Sequence, residues 1–239
     1  LHPAVAIAIF QSFQVKKKKS SNGCKGLPGL QLDRIKKDAF FDTKNNMDKE
    51  KYLTQLGNRT ALSIGLSAYI SFVITSETFS AKQTLPLNQL SVNPTTMLAK
   101  GSARIYIVDE AQREHTLFFY QYHDFLSIAS GITLQHDATL FIEFLEDSEL
   151  LLVPGTHIPN LYKLFPEFHQ VQAGHHQTFQ QNLFNHQLNL SVLNGAERYN
   201  RFLSKYKQIA MVCEQKKIAS FLGIDAKTLS RLRANPKRK

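Results

Sequence analysis

In the stretch KKIASFLGIDAKTLSRLR, residues 216–233, Lys227, Ser230 and Arg231 recur at a spacing that puts them on one helical face. That face carries two long donors and a hydroxyl, the side chains suited to the edges of DNA bases. Arg231 can pair bidentately with a guanine edge and Lys227 can donate to guanine acceptors, each good contact giving about 1–3 kcal/mol of discrimination. Arg233 and the tail Lys237, Arg238 and Lys239 suit phosphate oxygens, where they add salt-dependent affinity without sequence information. Lys216 and Lys217, one helix earlier, are further phosphate candidates, with plain surface as the other reading.

Two crossing helices around a tight turn would position these side chains. With Gln215 as the first position of a helix-turn-helix, Ile218, Leu222, Ile224, Leu229 and Leu232 fall where the helices need apolar contacts. Ala219 falls at the closest approach, where only a small side chain fits. Gly223 falls at the turn, which wants a left-handed backbone. Asp225 is placed to cap the second helix by accepting a backbone N–H. An ordinary helical hairpin with a solvated basic face is the competing reading.

The rest of the chain reads as a sensor placed ahead of this pair. The formal net charge of +10 is uneven: residues 1–46 and 205–239 are strongly basic, while 47–204 are slightly acidic. A near-neutral body with a basic end fits a last domain that touches a polyanion. Residues 1–46 mix Gly, Pro, Ser, Asn and Lys without a sustained period and are expected to be a poorly ordered basic leader, with Met47 as an alternative native start. Residues 51–72 suggest one or two helices. The runs TFSAKQTLPLNQL, TMLAKGSARIYIVDE, EHTLFFYQY, ATLFIEFLED and SELLLVPG then predict antiparallel strands of a barrel or jelly roll, with DEAQR as a hairpin connection. From Glu167 to Leu193 a Gln-, Asn- and His-rich stretch with Phe168, Val171, Phe179, Leu183 and Leu190 predicts a long helix with a narrow apolar seam for a second copy of the chain. Asn194-Gly195 ends it, and AERYNRFLSKYKQIAM predicts one further helix.

Little in the sequence points to catalysis. It holds no GxSxG, HExxH, P-loop or GxGxxG motif, so no enzyme activity is expected. Cys24 and Cys213 stand far apart, which suggests neither a disulfide framework nor a zinc or iron–sulfur site, and reduced cytoplasm is the expected compartment. No membrane segment, metal or cofactor is expected. His169 and His176 lie seven apart on the long helix, and His115 and His123 lie near the strands; surface or seam histidines are the favoured reading of both pairs. The acidic run EFLEDSE, residues 143–149, reads as a solvated sheet edge.

The motifs KGSARIYIVDEAQREHTLFFY, FIEFLEDSELLLV, AERYNRFL and IASFLGIDAKTLSRLR resemble the Crp/Fnr family of bacterial transcription regulators over roughly residues 52–235. The resemblance implies an α+β chain: a cyclic-nucleotide-binding-like antiparallel β-roll over 47–160, a dimerisation helix over 161–194 and a helix-turn-helix domain over 195–239. It also implies double-stranded DNA as partner, a homodimer, an unknown small-molecule effector, and base-reading positions at Lys227, Ser230 and Arg231. The pattern breaks at the effector site. Family members that bind cyclic AMP carry Gly-Glu and then Arg-Ser/Thr, whereas this chain has no Gly-Glu and carries Ala138-Thr139, so no cyclic-nucleotide binding is expected. Turn glycines are sparse, with Gly101 retained, and the short tail after Arg233 is expected to leave no room for a hairpin wing. A reading from another class is a small-ligand- or metal-binding cupin-type domain, with His115 and His123 as ligands and the basic end incidental.

Overall fold

The computed structural model describes residues 48–90, 93–126 and 139–234. The leader 1–46, Ala138 and the tail residues Lys237, Arg238 and Lys239 lie outside the described residues.

Strand alternation builds two antiparallel sheets. The first contains β1 (Thr75–Phe79), β7 (Ser148–Leu152) and β3 (Met97–Lys100), in the order β1-β7-β3. The second contains β2 (Thr84–Pro86), β6 (Leu140–Phe144), β4 (Ala103–Val108) and β5 (Glu114–Tyr120), in the order β2-β6-β4-β5. Between them Leu98, Ile105, Ile142, Phe144 and Leu150 form a closed apolar core, and Phe79 stacks on Phe144 with ring centroids 4.2 Å apart. Each such side chain contributes roughly 1.5–3 kcal/mol by leaving water. The hairpin expected at DEAQR is present: β4 pairs with β5, and Asp109 N–H donates to Arg113 O at 3.0 Å.

Tight turns are solved without the glycines the sequence lacks. Lys82, Gln112 and His123 take φ of 65°, 59° and 73° in the left-handed region, which surrounding contacts must hold against steric cost. Gly101, at φ 87°, has no such freedom of replacement, because a Cβ there would lie 2.2 Å from Ser148 Oγ.

A helical segment over 48–56 (α1), α2 (Ile64–Val73) and α3 (Ile158–Leu164) cover the first sheet. Tyr52, Leu66, Ile70, Leu161, Phe168 and Val171 make this second core. Ser63 caps α2 by accepting Leu66 N–H at 3.1 Å, and its hydroxyl donates to Glu167 at 2.5 Å. That bond joins α2 to α4 (Glu167–Val192), the long helix, which is 26 residues and so about 39 Å.

The expected seam along α4 divides in two. Phe168 and Val171 are buried in the chain's own core, and Phe179 packs on Phe118 of β5. Farther along, Leu183, Phe184, Leu188 and Val192 stand in solvent, the last three 68%, 47% and 69% exposed.

The long helix ends just before Asn194-Gly195, as expected, and Asn194 also starts α5 (Gly195–Lys205) with a capping box: its side chain accepts Ala196 and Glu197 N–H, while the Glu197 carboxylate accepts Asn194 N–H. The single helix expected over AERYNRFLSKYKQIAM breaks at Tyr206, whose ring is drawn among Phe119, Phe202 and Phe221, and resumes as α6 (Ile209–Val212). Then follow α7 (Gln215–Leu222) and α8 (Ala226–Ala234).

Candidate nucleic-acid interface

The turn between α7 and α8 is built by local chemistry. Gly223 lies at φ 62°, ψ 38°, and its N–H donates to the Ala219 and Ser220 carbonyls, while Ile224 N–H reaches Ala219 O at 3.1 Å. Those bonds satisfy the carbonyls that the end of α7 leaves open. Asp225 then caps α8, accepting Thr228 N–H at 2.9 Å and the Thr228 hydroxyl at 2.5 Å. These hydrogen bonds hold the Asp225 carboxyl below its ordinary pKa.

Ile218, Ala219, Leu222 and Leu229 are buried where the two helices cross, and Ile224 and Leu232 are half-buried. Lys227, Ser230 and Arg231 all point to solvent, as do Lys216 and Arg233. The expected reading face is thus uncovered, with no described ion pair or side-chain bond tying up its two cations.

Lys217 behaves otherwise than expected. Its ammonium is turned inward, donating to Glu143 Oε1 at 2.7 Å and to Glu214 Oε1 at 2.9 Å. Burial alone would lower its pKa, but the two carboxylates together outweigh burial and hold it above the ordinary lysine value. It is neither a free phosphate contact nor plain surface in this arrangement.

Glu143 corrects a second expectation, since the acidic run does not begin as a solvated edge. Strand register aligns Glu143 of β6, Arg104 of β4 and Phe119 of β5 in one row on the outer face of the second sheet. Arg104, only 1% exposed, donates from Nε to Glu143 Oε2 at 2.5 Å and from Nη1 to Thr116 Oγ1 at 3.0 Å, and also pairs with Glu114. Its guanidinium lies 4.1 Å over the Tyr106 ring. Phe119 completes the row by inserting among Phe202, Tyr206 and Phe221 of the helical unit. The Ser220 hydroxyl accepts Thr116 N–H at 3.0 Å, so α7 covers the otherwise open edge of β5. The helix pair is therefore docked on the sheet through a buried ion-pair row, an aromatic wedge and a capped strand edge.

Neither Arg104 nor Phe119 stands out in the sequence. The available signal was an arginine in the apolar strand SARIYIV, and its meaning depends on the register that sets it opposite Glu143.

Among the described residues no three His, Cys, Asp or Glu side chains are grouped to hold a metal ion. His115 Nε2 bonds Asp109 at 2.9 Å, His169 packs on Tyr162, and His175 lies half-buried against Phe125 and the Leu56 carbonyl. Burial pushes the Cys213 thiol up to about 11, so it is an unreactive packing group. No described helix is long and apolar enough to cross a membrane.

No protein-family model and no curated protein matches this chain. Solved structures do match. FixK2 from Bradyrhizobium japonicum is 17% identical, with a TM-score of 0.57 over 68% of this chain and 84% of its own. A Crp/Fnr-family transcriptional regulator from Eubacterium rectale is 19% identical, with a TM-score of 0.56 over 73% and 84%. The c-di-GMP-responsive global regulator CLP of Xanthomonas campestris is 13% identical, with a TM-score of 0.52 over 73% and 92%. The chain has the α+β fold of the Crp/Fnr transcription regulators. At such identities the likeness extends to the fold and not to a ligand or a DNA sequence.

Proposed function

We propose that this chain is a sequence-specific DNA-binding transcription regulator that works as a homodimer and whose β-roll takes no cyclic nucleotide. The observation carrying the reading is the uncovered face of α8, with Lys227, Ser230 and Arg231 presented by a helix pair that has the required left-handed turn at Gly223 and the cap at Asp225. Arg231 and Lys227 read guanine edges and Ser230 adds a hydroxyl contact. Phosphate contacts fall to Lys216, Arg233, Lys237, Arg238 and Lys239, while Lys217 joins them only when its bond to Glu143 opens.

The second copy is accommodated by the outer half of α4. Phe184, Leu188 and Val192 follow at four-residue spacing, exposed on a helix otherwise rich in Asn, Gln and His. Such a stripe is stable in water when a matching stripe covers it. Pairing there sets two α8 helices to enter successive major grooves, about 34 Å apart, on a pseudo-palindromic site. The absence of Gly-Glu and of an Arg-Ser/Thr pair from the corresponding stretch, residues 120–144, supports a roll without a cyclic-phosphate site.

Fluorescence anisotropy with the gene's own upstream DNA against random duplex, at moderate salt, tests the reading. Arg231→Ala is expected to erase sequence preference while leaving weak nonspecific binding. Equal affinity of the unaltered protein for both duplexes would refute the regulator, and a clear thermal stabilisation by cyclic AMP would refute the reading of the roll.

A further inference from the structure

A cavity of about 370 Å³ lies where β5, α4, α5 and the end of α7 meet. Arg198, Arg201 and Lys205 line it, following one another at i, i+3 and i+7 as a single stripe of α5. Their partners are neutral: Arg198 Nη1 donates to Leu190 O at 3.3 Å, Arg201 Nη1 to Asn189 Oδ1 at 2.9 Å, and Lys205 Nζ to Asn182 Oδ1 at 3.4 Å. Arg198 Nε is buried and has no acceptor among the described residues. A buried charged donor left open is costly unless an acceptor arrives.

No Asp or Glu lines the cavity; the carboxylate that acts on Lys205, Asp124, borders the adjoining one. The crowding of positive charge is felt by its neighbours. His186 is held below its ordinary pKa by burial and then by Lys205 and Arg198, and burial lowers Lys205 despite Asp124. Part of the remaining wall, which also carries leucines and asparagines, is aromatic: Phe118, Phe202 and Phe221, with the His186 ring stacked on Phe221 at 4.2 Å and 17°.

We propose that this cavity binds a small organic phosphate with a planar apolar body. Two guanidiniums and an ammonium without a lining carboxylate match a dianion, and guanidinium forks suit phosphate oxygens. The aromatic wall matches a ring, and the volume is that of a small-metabolite site. Occupancy reaches the helix pair directly: a Cβ on Gly223 would lie 3.3 Å from Leu190 Cδ2 and 3.6 Å from Arg198 Nη1. A phosphate that draws Arg198 inward releases the Leu190 carbonyl and alters the packing behind the α7–α8 turn. That consequence for DNA rests on the regulator reading; the binding itself does not.

Phenyl phosphate is the probe, with inorganic phosphate and phenol as its two halves, titrated calorimetrically into the full chain near neutral pH. One saturable event is expected, tighter than with either half, and weakened about tenfold or more in Arg201→Met and in Arg198→Met. Arg201 is exposed, so its variant retains the test should Arg198→Met fail to fold. Absence of saturation at millimolar probe, or undiminished binding by folded Arg201→Met protein, overturns the site. So does a loss of DNA affinity in that variant without any probe binding, which would make these cations DNA contacts. Sequence-specific DNA binding without probe binding sinks the site alone, whereas probe binding without DNA binding sinks the regulator reading and leaves the site standing.

Discussion

Replacing Glu143 with Gln tests how the helix pair is held on the sheet. The carboxylate accepts one charge-assisted bond from Arg104 at 2.5 Å and one from Lys217 at 2.7 Å, and its side chain is 8% exposed. Breaking a buried pair by removing one partner costs about 3–5 kcal/mol, because the surviving cation is left in a low-dielectric site. Two features place this case at the lower end. Arg104 keeps Glu114 and Lys217 keeps Glu214, both of which reach solvent, so neither cation is stranded. Glutamine also retains one acceptor oxygen. The expected loss is about 3 kcal/mol, a fall in the urea midpoint of about 1–2 M. A double-mutant cycle with Lys217→Met isolates the docking contribution, with about 1–2 kcal/mol of coupling expected. Accompanying this, amide exchange at Thr116, whose N–H is bonded by Ser220, should accelerate. A Glu143→Gln loss within about 0.5 kcal/mol, or additive behaviour with Lys217→Met, would refute the buried row as the tie between sheet and helices.

Gly223→Ala is expected to cost about 1–2 kcal/mol, since alanine resists the left-handed backbone and its Cβ presses Leu190, while Gly223→Asn recovers part of the loss; equal urea midpoints for all three would contradict the turn geometry. If the proposed homodimer pairs through this stripe, Phe184→Glu is expected to lower the mass in sedimentation equilibrium from dimer to monomer without lowering monomer stability, because Phe184 is 68% exposed; an unchanged mass would refute pairing through this stripe. His175 and His186 are held below the ordinary imidazole pKa, first by burial. Below about pH 6.5 the unfolded chain therefore binds protons that the folded chain refuses, so stability should fall as pH drops through that range. His186→Phe, which keeps the stack on Phe221, should flatten the decline, and a parallel curve would assign the dependence to other groups.

Short-range chemistry was readable along the chain. The α7–α8 turn follows from a glycine that must be left-handed, an aspartate that caps and apolar residues at crossing positions, all within twenty residues. The strands and the long helix follow from their periods, and Glu167–Val192 nearly coincides with the stretch between Pro166 and Asn194-Gly195. The limits of such reading are also local. Sparse glycine made the turns look weak, yet Lys82, Gln112 and His123 occupy left-handed positions because contacts elsewhere hold them there. The apolar positions of α4 shared one pattern although half of them pack at home.

By itself, then, the sequence determined which segments become strands and helices and which residues line the exposed face of α8, because backbone conformation, capping and side-chain period act over a few residues. Only the tertiary structure decided that Glu143 is buried, that Lys217 serves it, and that Phe119 joins roll to helices. Those outcomes depend on register between strands 39 residues apart and on a helix arriving 74 residues later, distances over which residue type carries no memory of its partner.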